Sequence, residues 1–175
     1  TGNGNGMEVD EEEWSDDEGK EVGVVDPILS KFKTAFRSCP PTPSTIPLIN
    51  LYSDYIIEAH GLSQIRSLSD KFSSILITAH SSVRTALYQK CIEVETSQSG
   101  WEANKESVRR VRELWERLVG VEGGSGDAWL SYIQFELQGT QDFAKATHLY
   151  WRAVKCVEDK DGFVRRYEEL KGADV

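Results

Sequence analysis

From about residue 46 to residue 170, apolar positions fall at helical intervals, interrupted by short polar or glycine-bearing gaps. The clearest stretch is 127–158. Trp129, Tyr132 and Phe135 recur every third residue, with Ile133 and Glu136 beside them, which lines the rings along one stripe of an α-helix. Asp127 stands where an N-cap would start that helix, and Gly139 where a glycine would stop it. A second helix, opened by Thr140 or Gln141, carries Phe143, Ala146, Leu149, Tyr150, Ala153 and Val157 on its inner side. Small Ala146 and Ala153 alternate there with large Leu149 and Tyr150, which suits close helix–helix approach. So short a break forces the two helices antiparallel. A hairpin with apolar surface on more than one side needs a neighbour on each flank.

The pattern recurs upstream. Tyr88, Cys91, Val94 and Glu95 hold the order of Trp129, Tyr132, Phe135 and Glu136, with Tyr88 41 residues before Trp129. The run 111–118, with Leu114, Trp115 and Arg117, aligns with the run 146–153, 35 residues later. A weaker copy puts Tyr52 and Tyr55 on a first helix and Ile65, Arg66, Leu68 and Phe72 on a second; there Glu58 follows Tyr55 one place early. Periods of this size belong to arrays of helical hairpins.

The predicted helices run over about 47–60, 63–79, 82–97, 101–119, 127–139, 140–157 and 163–171. Leu48, Leu51, Tyr52, Tyr55 and Ile56 form the inner side of the first. A flanking helix opens at Asp26-Pro27, with Ile28, Phe32, Ala35 and Phe36 on its apolar face, and stops before the stiff connector Pro40-Pro41-Thr42-Pro43. Gly123 to Gly126 read as a flexible link, and Asp161-Gly162 as a further break. Arg165, Arg166, Glu168 and Glu169 suit the wet side of a terminal cap. No stretch alternates as a strand does. The expectation is an all-α chain: an acidic tail or linker over 1–25, a flanking helix and proline-rich connector over 26–45, and a repeat domain over 46–175. That domain is an α-α superhelix of about three hairpins with a flanking helix at each end.

The pairing of Trp129-x-x-Tyr132-x-x-Phe135-Glu136 with Ala146-x-x-Leu149-Tyr150-x-Arg152-Ala153 resembles the HAT (half-a-tetratricopeptide) repeat over residues 46–171. The ending Leu149-Tyr150-Trp151-Arg152-Ala153-Val154-Lys155, with Phe163-Val164 and Tyr167, replaces the usual Phe-Glu-Arg-Ala core. Over 127–170 it is similar to the C-terminal end of the U3 small-nucleolar-RNA-associated HAT family, subunit six of the UTP-B complex. The resemblance implies a non-catalytic scaffold of the small-subunit processome, in the nucleus and nucleolus, that supports pre-rRNA processing. It implies protein partners, β-propeller subunits of UTP-B among them, with indirect or weak RNA contact. It also implies that Glu136, Arg152, Trp129, Tyr132, Tyr150 and Ala153 are structural, with Glu and Arg holding hairpins together or bridging neighbours. HAT proteins often dimerise, and the sequence leaves that open. The chain lacks a Met at residue 1 and reads as the C-terminal piece of a longer protein. Three other readings stay open: a HAT scaffold of splicing or mRNA 3′-end formation, an enzyme whose site the sequence does not reveal, and a direct RNA-binding module.

Charge bears on the last of these. The net charge is −9, but residues 1–22 hold nine acids and one Lys, so the remainder is nearly neutral. A phosphate grip wants surplus Lys and Arg. Arg109, Arg110, Arg112 and Arg117 lie three or four positions from Glu106, Glu113 and Glu116, a spacing that predicts a salt-laced outer face. Ser15, before Asp16-Asp17-Glu18, matches an acidic-directed kinase site.

Catalytic or cofactor chemistry finds little footing. His60 and His80 fall at helix C-termini, where the dipole favours them. His148 falls on an outer face. Cys39, Cys91 and Cys156 are scattered, which argues against zinc or a disulfide framework and for a reducing compartment. No run of apolar residues reaches membrane-span length. We expect no enzyme, metal or cofactor. Trp151, next to core position Tyr150, either anchors a partner or packs against the last helix near Phe163 and Tyr167. These three are the candidate partner contacts.

Overall fold

The computed structural model describes residues 27, 28, 31, 34, 35, 42–61, 66 and 81–172. The acidic tail with Ser15, most of the flanking helix and proline-rich connector, Cys39, His80 and the predicted helix 63–79 apart from Arg66 lie outside those residues. The described chain is all-α: helices α1 (Ile46–His60), α2 (Ser81–Thr96), α3 (Lys105–Val121), α4 (Gly126–Gln134), α5 (Phe143–Cys156) and α6 (Lys160–Gly172). No strand occurs among the described residues.

Local chemistry sets the boundaries, and several differ from expectation. Trp101–Ala103 is a separate 3₁₀ turn entered through Gly100 at φ 74°. α3 starts after it because the Asn104 side chain accepts from the amides of Glu106 and Ser107, at 3.0 and 3.2 Å. Ser125, not Asp127, caps α4, accepting from the Asp127 amide. α4 widens into a π-helical turn over Phe135–Gly139. The left-handed residue that reverses the chain is Gln141, at φ 56°, and not Gly139. Asp142 then caps α5, accepting from Lys145 N at 3.0 Å. Asp161 and Gly162 belong to the first turn of α6 and break nothing. The glycine stretch is likewise tied down: Gly123 O accepts from the Trp129 indole at 3.1 Å, and Gly124 O from the Glu158 amide at 3.2 Å.

Packing follows chain order. α1 lies on α2, α2 on α3, α3 on α4, α4 on α5, and α6 on both α4 and α5. The N-terminal part of α4 meets the C-terminal part of α5, with the Arg152 guanidinium 5.2 Å from the Trp129 ring, so this pair is an antiparallel hairpin. One apolar cluster runs through the ladder, from Ile49, Val83 and Leu87 by Val111 and Leu118 to Tyr132, Leu149, Phe163 and Tyr167. Ala146 and Ala153 are fully buried, which lets α5 approach closely. Leu51 and Phe143 were expected inside and are exposed. The buried stripe of α1 is Ile49, Tyr52, Ser53 and Ile56, and one residue off that stripe rotates Leu51 by about 100°. Phe143 directly follows the cap Asp142, so it sits in the first turn, short of the core.

Candidate partner groove and the seams that shape it

Tyr88, Glu95, Trp129, Tyr132 and Glu136 are all buried, whereas Trp115, Phe135 and Tyr150 are half-buried. Their rings meet across helices: Trp115 stacks on Tyr132 at 5.8 Å, and Trp101 on Phe135 at 5.4 Å. Gly139 fits against this group because a Cβ there would come within 2.9 Å of the Trp101 ring.

Charged forks fasten successive hairpins. Glu136 is fully buried on the π-helical turn of α4 and accepts two hydrogen bonds from Arg112 of α3, at 2.8 and 2.7 Å. Thr140 Oγ1 donates to the same carboxylate at 2.7 Å, and Asp142 takes a further bond from Arg112 at 3.0 Å. Glu95, 41 residues before Glu136 and also buried, accepts two bonds from Arg66, each 2.6 Å, with Arg110 at 3.8 Å. Arg66 and Arg112 are the aligned residues of the predicted second helices. The same pairing thus occurs twice: an Arg at one position of the predicted second helices grips a buried Glu 24 or 29 residues later. Bidentate pairing of this kind fixes geometry as well as adding energy.

A third fork runs between second helices. Arg152 of α5 donates to both oxygens of Glu116 on α3, each at 2.8 Å, and Tyr132 OH donates to Glu116 at 3.3 Å. The Arg152 hydrogen bonds hold the Glu116 carboxyl below the usual carboxylate range, against the opposing effect of burial. Burial foremost, then the charge of Glu116, pushes the Tyr132 phenol well above its ordinary value.

These pairs revise the expected arginine face. Arg109 does pair locally, with Glu106 and Glu113. Arg110 and Arg112 instead reach glutamates on other helices, and Glu116 serves Arg152. Arg117 is exposed. The pairing engages cations that a phosphate backbone would otherwise meet.

Between the first helices lie two open grooves. One, of about 580 Å³, is lined by Asp127, Leu130, Ser131 and Gln134 of α4 and Arg166, Glu169 and Leu170 of α6. The other, of about 410 Å³, is lined by Ile46, Asn50 and Asp54 of α1 and Ala86, Gln89, Lys90 and Glu93 of α2. The four lining positions of α2 reappear in α4 each 41 residues later. Repetition in the sequence therefore puts the same helix face into both grooves. Each groove is crossed by an ion pair, Lys90 to Asp54 at 2.9 Å in one and Arg166 to Asp127 in the other. The periodic pattern located the core but not this lining, whose positions stand out only once the 41-residue copies are superposed.

Of the candidate partner contacts, only Trp151 is open, at 60% exposure. Phe163 and Tyr167 are buried beneath α5, where both pack on Tyr150. The structure corrects their expected role: they hold α6 down. His60 and His148 are exposed. Cys91 is buried and Cys156 exposed, neither in a disulfide. Among the described residues no group of three or more His, Cys, Asp and Glu gathers as metal ligands, and no helix is long and apolar enough to cross a membrane.

Comparison with known proteins gives no match to a curated protein or to a solved structure. A family profile, "U3 small nucleolar RNA-associated protein 6 C-terminal", matches residues 28–157. That span takes in α1 to α5, both buried forks and most of the groove lining, and on it the chain belongs to the U3 small nucleolar RNA-associated protein 6 C-terminal family, a family of ribosome-biogenesis factors.

Proposed function

We propose that this chain is a non-catalytic scaffold of the U3-containing small-subunit processome, working in the nucleolus to support pre-rRNA processing. Its hairpins stack as a short α-α superhelix, and the grooves between first helices hold an extended segment of a protein partner. A β-propeller subunit of the UTP-B module is the partner this reading favours. The observation that carries it is the recurrence, 41 residues apart, of one helix face in both grooves. Extended concave surfaces of repeat arrays are where such proteins bind. Asn50, Gln89 and Gln134 in those grooves each offer both a donor and an acceptor, as a peptide unit does. Four groove acids, Asp54, Glu93, Asp127 and Glu169, against Lys90 and Arg166 favour a segment that carries Lys or Arg. The family favours this setting over splicing or mRNA 3′-end formation.

Affinity capture from nucleolar extract tests it, with the 175-residue chain beside a Gln89→Arg/Ser131→Arg groove variant. The natural chain should recover processome propeller proteins together with U3 RNA, and the variant should lose them while staying folded. Recovery of splicing or polyadenylation factors, or undiminished capture by the groove variant, would overturn the proposal.

A further inference from the structure

Read 35 residues on, the seam between α3 and α4 becomes the seam between α5 and α6. Its apolar part is copied. Trp115 stacks on Tyr132, and the corresponding residues Tyr150 and Tyr167 meet at 4.3 Å between ring centroids. Leu114 and Val111 correspond to Leu149 and Ala146, all of them buried. The polar part is not copied. Arg112 and Glu136, shifted by 35 residues, become Thr147 and Lys171. Thr147 donates its hydroxyl to the Phe143 carbonyl at 2.9 Å. Lys171 is exposed, with its ammonium 5.6 Å from the Tyr167 ring. Among the described residues no ion pair joins α5 to α6. α6 does pair with α4, through Arg166 and Asp127, both largely exposed.

From this we infer that α6 is a releasable cap, opening from the array as a unit while α2 to α5 stay packed. The inference goes beyond the scaffold reading and does not depend on it. Three features support release. The charged latch that fastens both earlier seams is missing from this one. The remaining pair is exposed, and exposed pairs contribute little. The outer side of α6 carries Arg165, Glu168 and Lys171, which water solvates in either state. Release uncovers Tyr150 beside the already exposed Trp151, making one aromatic surface at that end of the ladder.

Native-state hydrogen exchange, read by mass spectrometry on the 175-residue chain, tests this. Hydrogen bonds to charged groups shift an equilibrium about tenfold or more. The amides of α6 should therefore exchange at least about tenfold faster than those of α4 and α5. A Thr147→Arg/Lys171→Glu variant, which writes the fork into this seam, should slow α6 exchange about tenfold and leave α2 to α4 unchanged. Protection of α6 equal to that of α4 in the natural chain would overturn the inference. So would a folded variant whose α6 exchange does not change. Should the variant fail to fold, the profile of the natural chain alone decides.

Discussion

Gly139 and Glu116 carry the account at the scale of single residues. Glycine at 139 is explained by the ring of Trp101, which leaves no room for a methyl group. A Gly139→Ala change gains about 1 kcal/mol of helix propensity but forces a stacked ring aside, at a cost of about 1–3 kcal/mol. The expected net loss is about 1 kcal/mol in urea unfolding, and a stabilised variant would contradict the packing described. Glu116 ties stability to pH. Its folded carboxyl titrates below the unfolded value of about 4.5. The fork's contribution is therefore complete above that pH and is lost as pH falls through the lower, folded value. Glu116→Gln should give a shallower acid limb in the stability–pH curve; an unchanged limb would show that the pair contributes nothing.

Element by element, the sequence was most legible where one helix explains itself. The stripe of Trp129, Tyr132 and Phe135 located α4, and the small–large alternation on α5 located its buried face. The repeat also singled out Glu136 and Arg152. It did not reveal their partners, because spacing along one helix nominated Glu113 and Glu116 for the arginines, while the observed pairs span 24 and 36 residues. A signal existed: Arg66 and Arg112 share a register, as do Glu95 and Glu136. The π-helical turn left no such mark. It leads into Gln141 at φ 56°, a conformation that spacing does not announce for a non-glycine residue, and the new helix opens only at Phe143. Trp151 and Leu149 separate surface from core within α5. Trp151→Ala should move stability by no more than about 0.5 kcal/mol, and Leu149→Ala should cost about 2–5 kcal/mol. Thermal melts of the two variants that coincide would refute this division.

Across the described molecule two glutamates, Glu95 and Glu136, turn inward, and each meets an arginine. Arg109, Arg110 and Arg112 of α3 are engaged with glutamates, and the sequence beyond the acidic tail is near neutral, so no surplus of cations gathers there to attract phosphate. Filter binding to a pre-rRNA fragment at physiological salt should give no affinity tighter than about 10 micromolar. A nanomolar, steeply salt-dependent affinity would move the function towards direct RNA recognition. The same inward pairing gives the packed helices their coherence, since the buried Arg112–Glu136 fork ties α3 to the π-helical end of α4. A double-mutant cycle on Arg112→Ala and Glu136→Ala, measured by urea unfolding, isolates that tie from its surroundings. A coupling of about 2 kcal/mol or more is predicted for a buried bidentate pair; losses that add to within about 0.5 kcal/mol would mean the hairpins are not joined in this way.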